Sequence, residues 1–158
     1  MGKGQADDRI TARYLEVKSG SKRPVAGAPL DVATSNRMKS QRTAGTRPEE
    51  DVAALLRRRG YLVEQNRSDL PGRPDIVLPR RGIVIFVHGC FWHGCESHGT
   101  VPRNNRSWWI AKIAANRARD RRKAAHLRRL GWHVLTLWGH DDPSVCLSRI
   151  RRVEGLHR

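Results

Sequence analysis

The sequence predicts an α/β fold, a mixed β-sheet flanked by α-helices, and three observations carry that prediction. Ile83-Val84-Ile85-Phe86-Val87 is an apolar, mostly β-branched run of the kind found in a central buried strand. Pro74-Asp75-Ile76-Val77-Leu78 precedes it across the short Pro79-Arg80-Arg81-Gly82 turn, which implies a hairpin of two core strands. A long helical pattern follows, and Trp132 to Trp138 then reads as another strand of the same sheet.

Residues 1–35 hold small, polar and charged side chains with Gly and Pro and no sustained apolar period, so a flexible tail is expected there and a folded domain over 36–158. Thr46-Arg47-Pro48-Glu49 predicts a capping box with proline in the first turn of a helix running to Arg59. Val52, Leu55 and Leu56 recur at helical spacing, and Gly60 ends the element. Tyr61 to Glu64 suggests a short strand, and the polar stretch Asn66 to Arg73 delivers Pro74-Asp75 to the next one. After a Gly- and Cys-rich loop over 89–106, a helix is expected from Ser107 to Leu130, with Ile110, Ile113, Ala114, Leu127 and Leu130 on one face and arginines on the other. Pro143 to Val153 closes the chain as an amphipathic helix.

A formal charge of +16 costs self-repulsion that a polyanion relieves, so nucleic acid is the leading partner. The run Arg103 to Arg129 concentrates the effect, with ten cations against one acid, Asp120. A solvated basic helix is the bland alternative. No segment approaches the roughly 18 apolar residues that span a bilayer, and the N-terminus lacks a secretory apolar core. An intracellular, nucleoid-associated cytoplasmic protein is therefore expected. Its three cysteines, Cys90, Cys95 and Cys146, then favour metal ligation over disulfides.

Cys90, Cys95 and His98 follow C-x4-C-x2-H spacing through a glycine-containing loop, which lets three side chains meet one zinc ion. A structural tetrahedral site needs a fourth ligand. His140, after the Trp132 to Trp138 strand, is favoured because that strand is expected beside the one leading to Cys90; Cys146, mid-helix, is the rival. A second group carries different chemistry. Asp75 at a strand start is a hard-oxygen ligand for Mg²⁺, and His88 and His93 can move a proton near neutral pH. Glu49 serves equally well as a water-mediated metal contact or as the partner of Thr46 in the capping box. Alone, Asp75 would be an ordinary strand cap. Its co-location with the histidines makes the case for metal-assisted phosphodiester cleavage. Phe91-Trp92 and Trp108-Trp109 add flat rings beside arginines, suited to stacking on bases or wedging between them, with core packing as the competing role.

Taken together, Thr46-Arg47-Pro48-Glu49 with Met38, Leu70-Pro71-Gly72-Arg73-Pro74-Asp75, the block Val84 to His93, Trp109 with Asn116 and Arg119-Asp120, and Gly131-Trp132 leading to Trp138 closely resemble the very-short-patch mismatch-repair endonucleases. The resemblance spans about Ser35 to Asp141. It implies a restriction-endonuclease-like fold and a Mg²⁺-dependent enzyme with a structural Zn²⁺. The implied reaction nicks double-stranded DNA 5′ of the mispaired thymine in a T·G mismatch left by 5-methylcytosine deamination. By position it implies Asp75 and the Val87 carbonyl as Mg²⁺ ligands, His93 as general base, His88 as a supporting histidine and Glu49 as an acid acting through water. Phe91, Trp92 and Trp109 match intercalating aromatics, Met38 a minor-groove residue, and Asn116 and Arg119 further DNA contacts. Val87 stands where some members have threonine, and the lysine of the wider nuclease motif is absent, with His88 near its place. A monomer is expected, with mismatch-repair proteins as candidate partners. The rival readings are a sequence-specific restriction enzyme cutting both strands and a non-catalytic zinc-stapled DNA-binding module.

Overall fold

The computed structural model describes residues 44–155. The expected N-terminal tail and Met38 lie outside that range. Helix α1 spans Arg47–Arg58, strand β1 Glu64–Gln65, β2 Ile76–Leu78, β3 Ile83–His88, helix α2 Arg106–Arg129, β4 His133–Trp138 and helix α3 Ser144–Gly155. The four strands form one mixed sheet in the order β1-β2-β3-β4, in which β1, β2 and β3 are antiparallel neighbours and β3 pairs parallel with β4. The α/β class, the hairpin and the mixed sheet expected from the sequence are all present. Among the described residues no helix is long and apolar enough to cross a membrane.

Backbone contacts divide the described chain into two units, one of residues 91–118 and a larger one of residues 44–90 and 119–155. The larger unit holds the sheet. Its central strand β3 is apolar on both sides because each side faces a separate core. Ile83 and Ile85 pack with Val52 and Leu56 of α1 and with Cys146 and Ile150 of α3. Val84 packs on the opposite side with Val77 and Leu127 of α2. Each fully buried aliphatic side chain of this kind contributes about 1.5–3 kcal/mol. The β2–β3 turn is a 3-10 segment, Pro79–Arg81, closed by Gly82 at φ 61°, where a side chain would be strained.

Three local expectations are corrected. The first strand is not Tyr61 to Glu64 but Glu64–Gln65, because its register is set by the three-residue β2: Glu64 pairs with Val77 and Gln65 with Ile76. Tyr61 and Val63 pack on the core as irregular chain instead. In the first helix Thr46 does not cap a backbone N–H; its hydroxyl donates to Glu49 Oε1 at 2.7 Å, while the Gly45 N–H donates to Oε2 at 2.7 Å. In α2 the buried stripe is Trp109, Ile113, Asn116 and Leu127, whereas Ala114 and Leu130 are exposed. At about 100° per residue, positions 109, 113, 116, 120, 123 and 127 fall on one line, Ala114 points well away from it, and Leu130 lies past the helix end.

Candidate active site

Asp75 sits one step before β2, and the chain holds it from both sides. Its main-chain carbonyl accepts the Asn66 N–H at 3.1 Å, and its carboxylate Oδ2 accepts the Val87 N–H at 2.7 Å. The second bond crosses the hairpin, because Ile76 pairs with Ile85 and the next residues along β3 are Phe86 and Val87. A half-buried carboxylate is thereby fixed beside the end of β3, where the chain continues into His88.

His88 ends β3 opposite Trp138, the last residue of β4. Their rings meet edge to face, with centroids 5.8 Å apart. The same indole stacks on His140 with planes 15° apart and centroids 6.3 Å apart. The Gly139 N–H donates to the His88 carbonyl at 2.9 Å, and Trp138 and Asp141 exchange bonds: the Trp138 N–H donates to Asp141 Oδ2 and the Asp141 N–H to the Trp138 carbonyl, each at 2.9 Å. The turn after β4 is thus rigid, and it brings His140 Nδ1 to 3.0 Å from Cys90 Sγ. Cys146 is elsewhere, fully buried in the aliphatic core, where burial pushes its thiol up to about 12. A thiol held protonated in that way is a poor metal ligand.

The sequence marks Asp120 as the lone acid of the basic run and as part of the Arg119-Asp120 pair of the family resemblance, without a site role. On α2 it brings a carboxylate oxygen within 4.8 Å of a ring nitrogen of His88. The readable signal was its position, four residues after Asn116 on the buried stripe of the helix. Glu49 is buried at 3 % exposure, and both its oxygens accept bonds from the helix's own N-terminal turn.

The smaller unit carries the aromatic loop. Phe91, Trp92, Trp108 and Trp109 form one ring cluster, with Phe91 and Trp92 edge-on at 5.1 Å, Phe91 and Trp109 at 5.1 Å, and Trp108 and Trp109 at 4.7 Å. Trp109 is 1 % exposed and forms the floor of the cluster, while Phe91 and Trp92 remain half-exposed. Asn116, expected among the DNA contacts, is buried and its Nδ2 donates to the Trp92 carbonyl at 3.1 Å. His93 is half-buried in the turn after Trp92, and Arg119 is exposed on α2. Cys95 Sγ lies 3.9 Å from His98 Nδ1, in a turn closed by the Gly99 N–H donating to the Cys95 carbonyl at 2.7 Å. A Cβ at Gly99 would collide with that carbonyl, so the turn requires glycine there.

A strongly basic α/β protein with a carboxylate pinned at a strand edge, histidines at the strand's end and a tryptophan-rich loop belongs to the class of proteins that act on nucleic acid. The family described as DNA mismatch endonuclease Vsr matches residues 31–98. A type II nicking enzyme, V.XorIIP of Xanthomonas oryzae pv. oryzae, is 50 % identical over 120 residues, covering 73 % of this chain and 88 % of that protein. The DNA mismatch endonuclease Vsr of Escherichia coli K12 is 41 % identical over 110 residues, covering 68 % and 70 %. The type II nicking enzyme V.NaeI of Lentzea aerocolonigenes is 33 % identical over 135 residues, covering 82 % and 80 %. The chain belongs to the Vsr family of DNA endonucleases.

Proposed function

We propose that the protein nicks one strand of duplex DNA 5′ of the mispaired thymine in a T·G mismatch, in a Mg²⁺-dependent reaction. The observation that carries the reading is the Asp75 carboxylate bound to the Val87 N–H at 2.7 Å, which sets a hard-oxygen donor beside a strand end bearing His88. Asp75 and the Val87 carbonyl are the donor types Mg²⁺ selects. Bound there, the ion would supply charge stabilisation for the phosphate under attack.

The protein's own groups account for the remaining work. His93 takes a proton from the attacking water, a task for which an imidazole nitrogen is suited. His88, held by the Trp138 ring and near Asp120, assists with its orientation fixed. Glu49 is the acid assigned to a water-mediated contact, and the two bonds it accepts hold its carboxylate in one orientation for that task. Phe91 and Trp92 enter the base stack beside the mispair over the Trp109 floor, with Arg119 on the backbone and Asn116 holding the Trp92 carbonyl.

Zn²⁺ held by Cys90, Cys95, His98 and His140 is the second part of the proposal. Tetrahedral zinc with bonds of about 2.3 Å to sulfur and 2.0 Å to nitrogen separates the two ligand atoms by about 3.5 Å. The Cys90–His140 and Cys95–His98 pairs, at 3.0 and 3.9 Å, bracket that value.

Two relatives are described as type II nicking enzymes, which supports cutting of one strand, and the test below therefore also varies the flanking sequence. Labelled duplexes differing only in a central T·G, T·A or C·G pair, each in several flanking contexts, are incubated with Mg²⁺ or with EDTA. Nicking of the thymine strand in T·G duplexes alone is the expected result. Double-strand cutting of matched duplexes, or nicking that persists in EDTA, contradicts the reading.

A further inference from the structure

The turn Leu70–Arg73, two residues before Asp75, has an unusual backbone. Gly72 lies at φ +81° and Arg73 at φ +48°, so a non-glycine residue is held in the left-handed region, with the Arg73 N–H donating to the Leu70 carbonyl at 3.1 Å. A conformation of this kind is strained for a side-chain-bearing residue and persists only where the surroundings hold it. Here α2 imposes it. The methylene stem of Lys123 lies on Gly72 so closely that a Cβ there would come within 2.8 Å of Lys123 Cδ. Glycine lets the lysine stem seat on the turn, and the seated stem fixes where the ammonium is presented.

Ser68, Gly72, Arg73, Lys123 and His126 line a shallow, open depression at this point. Its one acid, Asp69, is neutralised locally: Arg67 binds it, and that guanidinium holds the Asp69 carboxyl below its ordinary range. Among the described residues neither Arg73 nor Lys123 has a carboxylate partner. The depression therefore presents uncompensated positive charge on a surface too open to enclose a small molecule, which suits a polymer's phosphodiester. The chain from Arg73 to Asp75 spans at most about 7 Å.

We propose that Arg73 and Lys123 seat a backbone phosphate of the DNA strand next to the one cut at the Asp75 centre, with the Gly72 turn as the rigid part of the seat. The proposal rests on the reading of the protein as a DNA-cleaving enzyme and adds where the strand is gripped.

The test is fluorescence anisotropy of the full chain on T·G and matched duplexes over a salt series, for wild type, Lys123→Gln, Arg73→Gln and the control Arg80→Gln, which alters a cation outside the depression. Each seat variant is expected to lower the slope of log K against log salt by about 0.9 and affinity about tenfold, equally for both duplexes. Replacing the seated phosphate by a neutral methylphosphonate should weaken wild type but not Lys123→Gln. A wild-type slope in both folded seat variants overturns the seat while leaving the functional reading intact. An equal drop in Arg80→Gln overturns it too, by assigning the effect to total charge. Failure of the wild type to bind either duplex removes both the seat and the DNA-cleaving reading.

Discussion

The indole of Trp138 stands edge-on to the His88 imidazole, centroids 5.8 Å apart and planes at 75°, and its other neighbour is the His140 ring, stacked at 15°. One side chain therefore braces both the proposed catalytic histidine and the histidine that approaches Cys90.

Replacing that ring should disturb both. An edge-on aromatic contact is worth about 0.5–1.5 kcal/mol beyond its buried area, so Trp138→Leu is expected to slow nicking of saturating T·G duplex about 2- to 10-fold. The same variant should release zinc faster to a colorimetric chelator, and Trp138→Phe should recover most of both properties. Full activity with unchanged zinc release in Trp138→Leu would show that the ring only fills space.

Asp75→Asn keeps an oxygen to accept the Val87 N–H but removes the charge. It is expected to abolish nicking, to bind duplex DNA as wild type does, and to melt within a few degrees of it. Asp75→Ala also loses the 2.7 Å bond and should cost a further 1 kcal/mol or so in urea unfolding. Residual Mg²⁺-stimulated nicking by Asp75→Asn would argue against a charge-based role.

Glu49 has two separable roles. Glu49→Ala leaves the Gly45 N–H and the Thr46 hydroxyl without their acceptor in a buried setting, a loss of about 1–3 kcal/mol. Glu49→Gln restores one acceptor and should recover much of that stability. If the carboxylate also serves the reaction, Glu49→Gln stays slow in nicking despite its recovered fold. Equal recovery of both would reduce Glu49 to a structural role.

Alkaline pH should destabilise the fold through Cys146. Burial raises its thiol from an ordinary 9.0 to about 12, so the folded protein holds this proton more tightly than the unfolded chain does. The corresponding stability is intact below pH 9.0 and drains away as pH rises towards 12. The urea midpoint of wild type should fall over this window more steeply than that of Cys146→Ala. In native protein at pH 8 the Cys146 thiol should also stay unreactive towards a maleimide, and a chelator should add to the reactive thiols from Cys90 and Cys95.

Asn116→Ala removes the donor to the Trp92 carbonyl and loosens the aromatic loop. Discrimination between T·G and matched duplexes is expected to fall severalfold while total DNA affinity changes little. Unaltered discrimination would mean that the ring cluster positions Trp92 without this bond.

Much of this fold is legible in the sequence. The continuous apolar β3 run, the Pro79 to Gly82 turn and the glycine stops at Gly60 and Gly131 are local signals, and local steric preferences enforce them wherever they occur. The spacing of Cys90, Cys95 and His98 is legible for the same reason. The places of other residues depend on what packs against them. Ala114 and Leu130 are expected on the apolar face of the helix, yet they miss the stripe along which α2 is covered. Trp109, one of the rings expected to meet DNA, is the buried floor of its cluster, which its sequence neighbours do not reveal. Thr46 looked like a cap, and Glu49 takes its hydroxyl instead.

The amino-acid order alone settled the α/β class, the sequence of elements and the family, since hydrophobic period, turn residues and motif spacing are properties of short stretches. Partnership came from long-range packing. The parallel β3–β4 pairing brings residues fifty positions apart to Cys90–His140 contact and sets Trp138 against His88. Helical phase on α2 aims Asp120 at His88 and seats Lys123 on Gly72. Such contacts are fixed by register and packing between distant segments, and no window of sequence contains both partners.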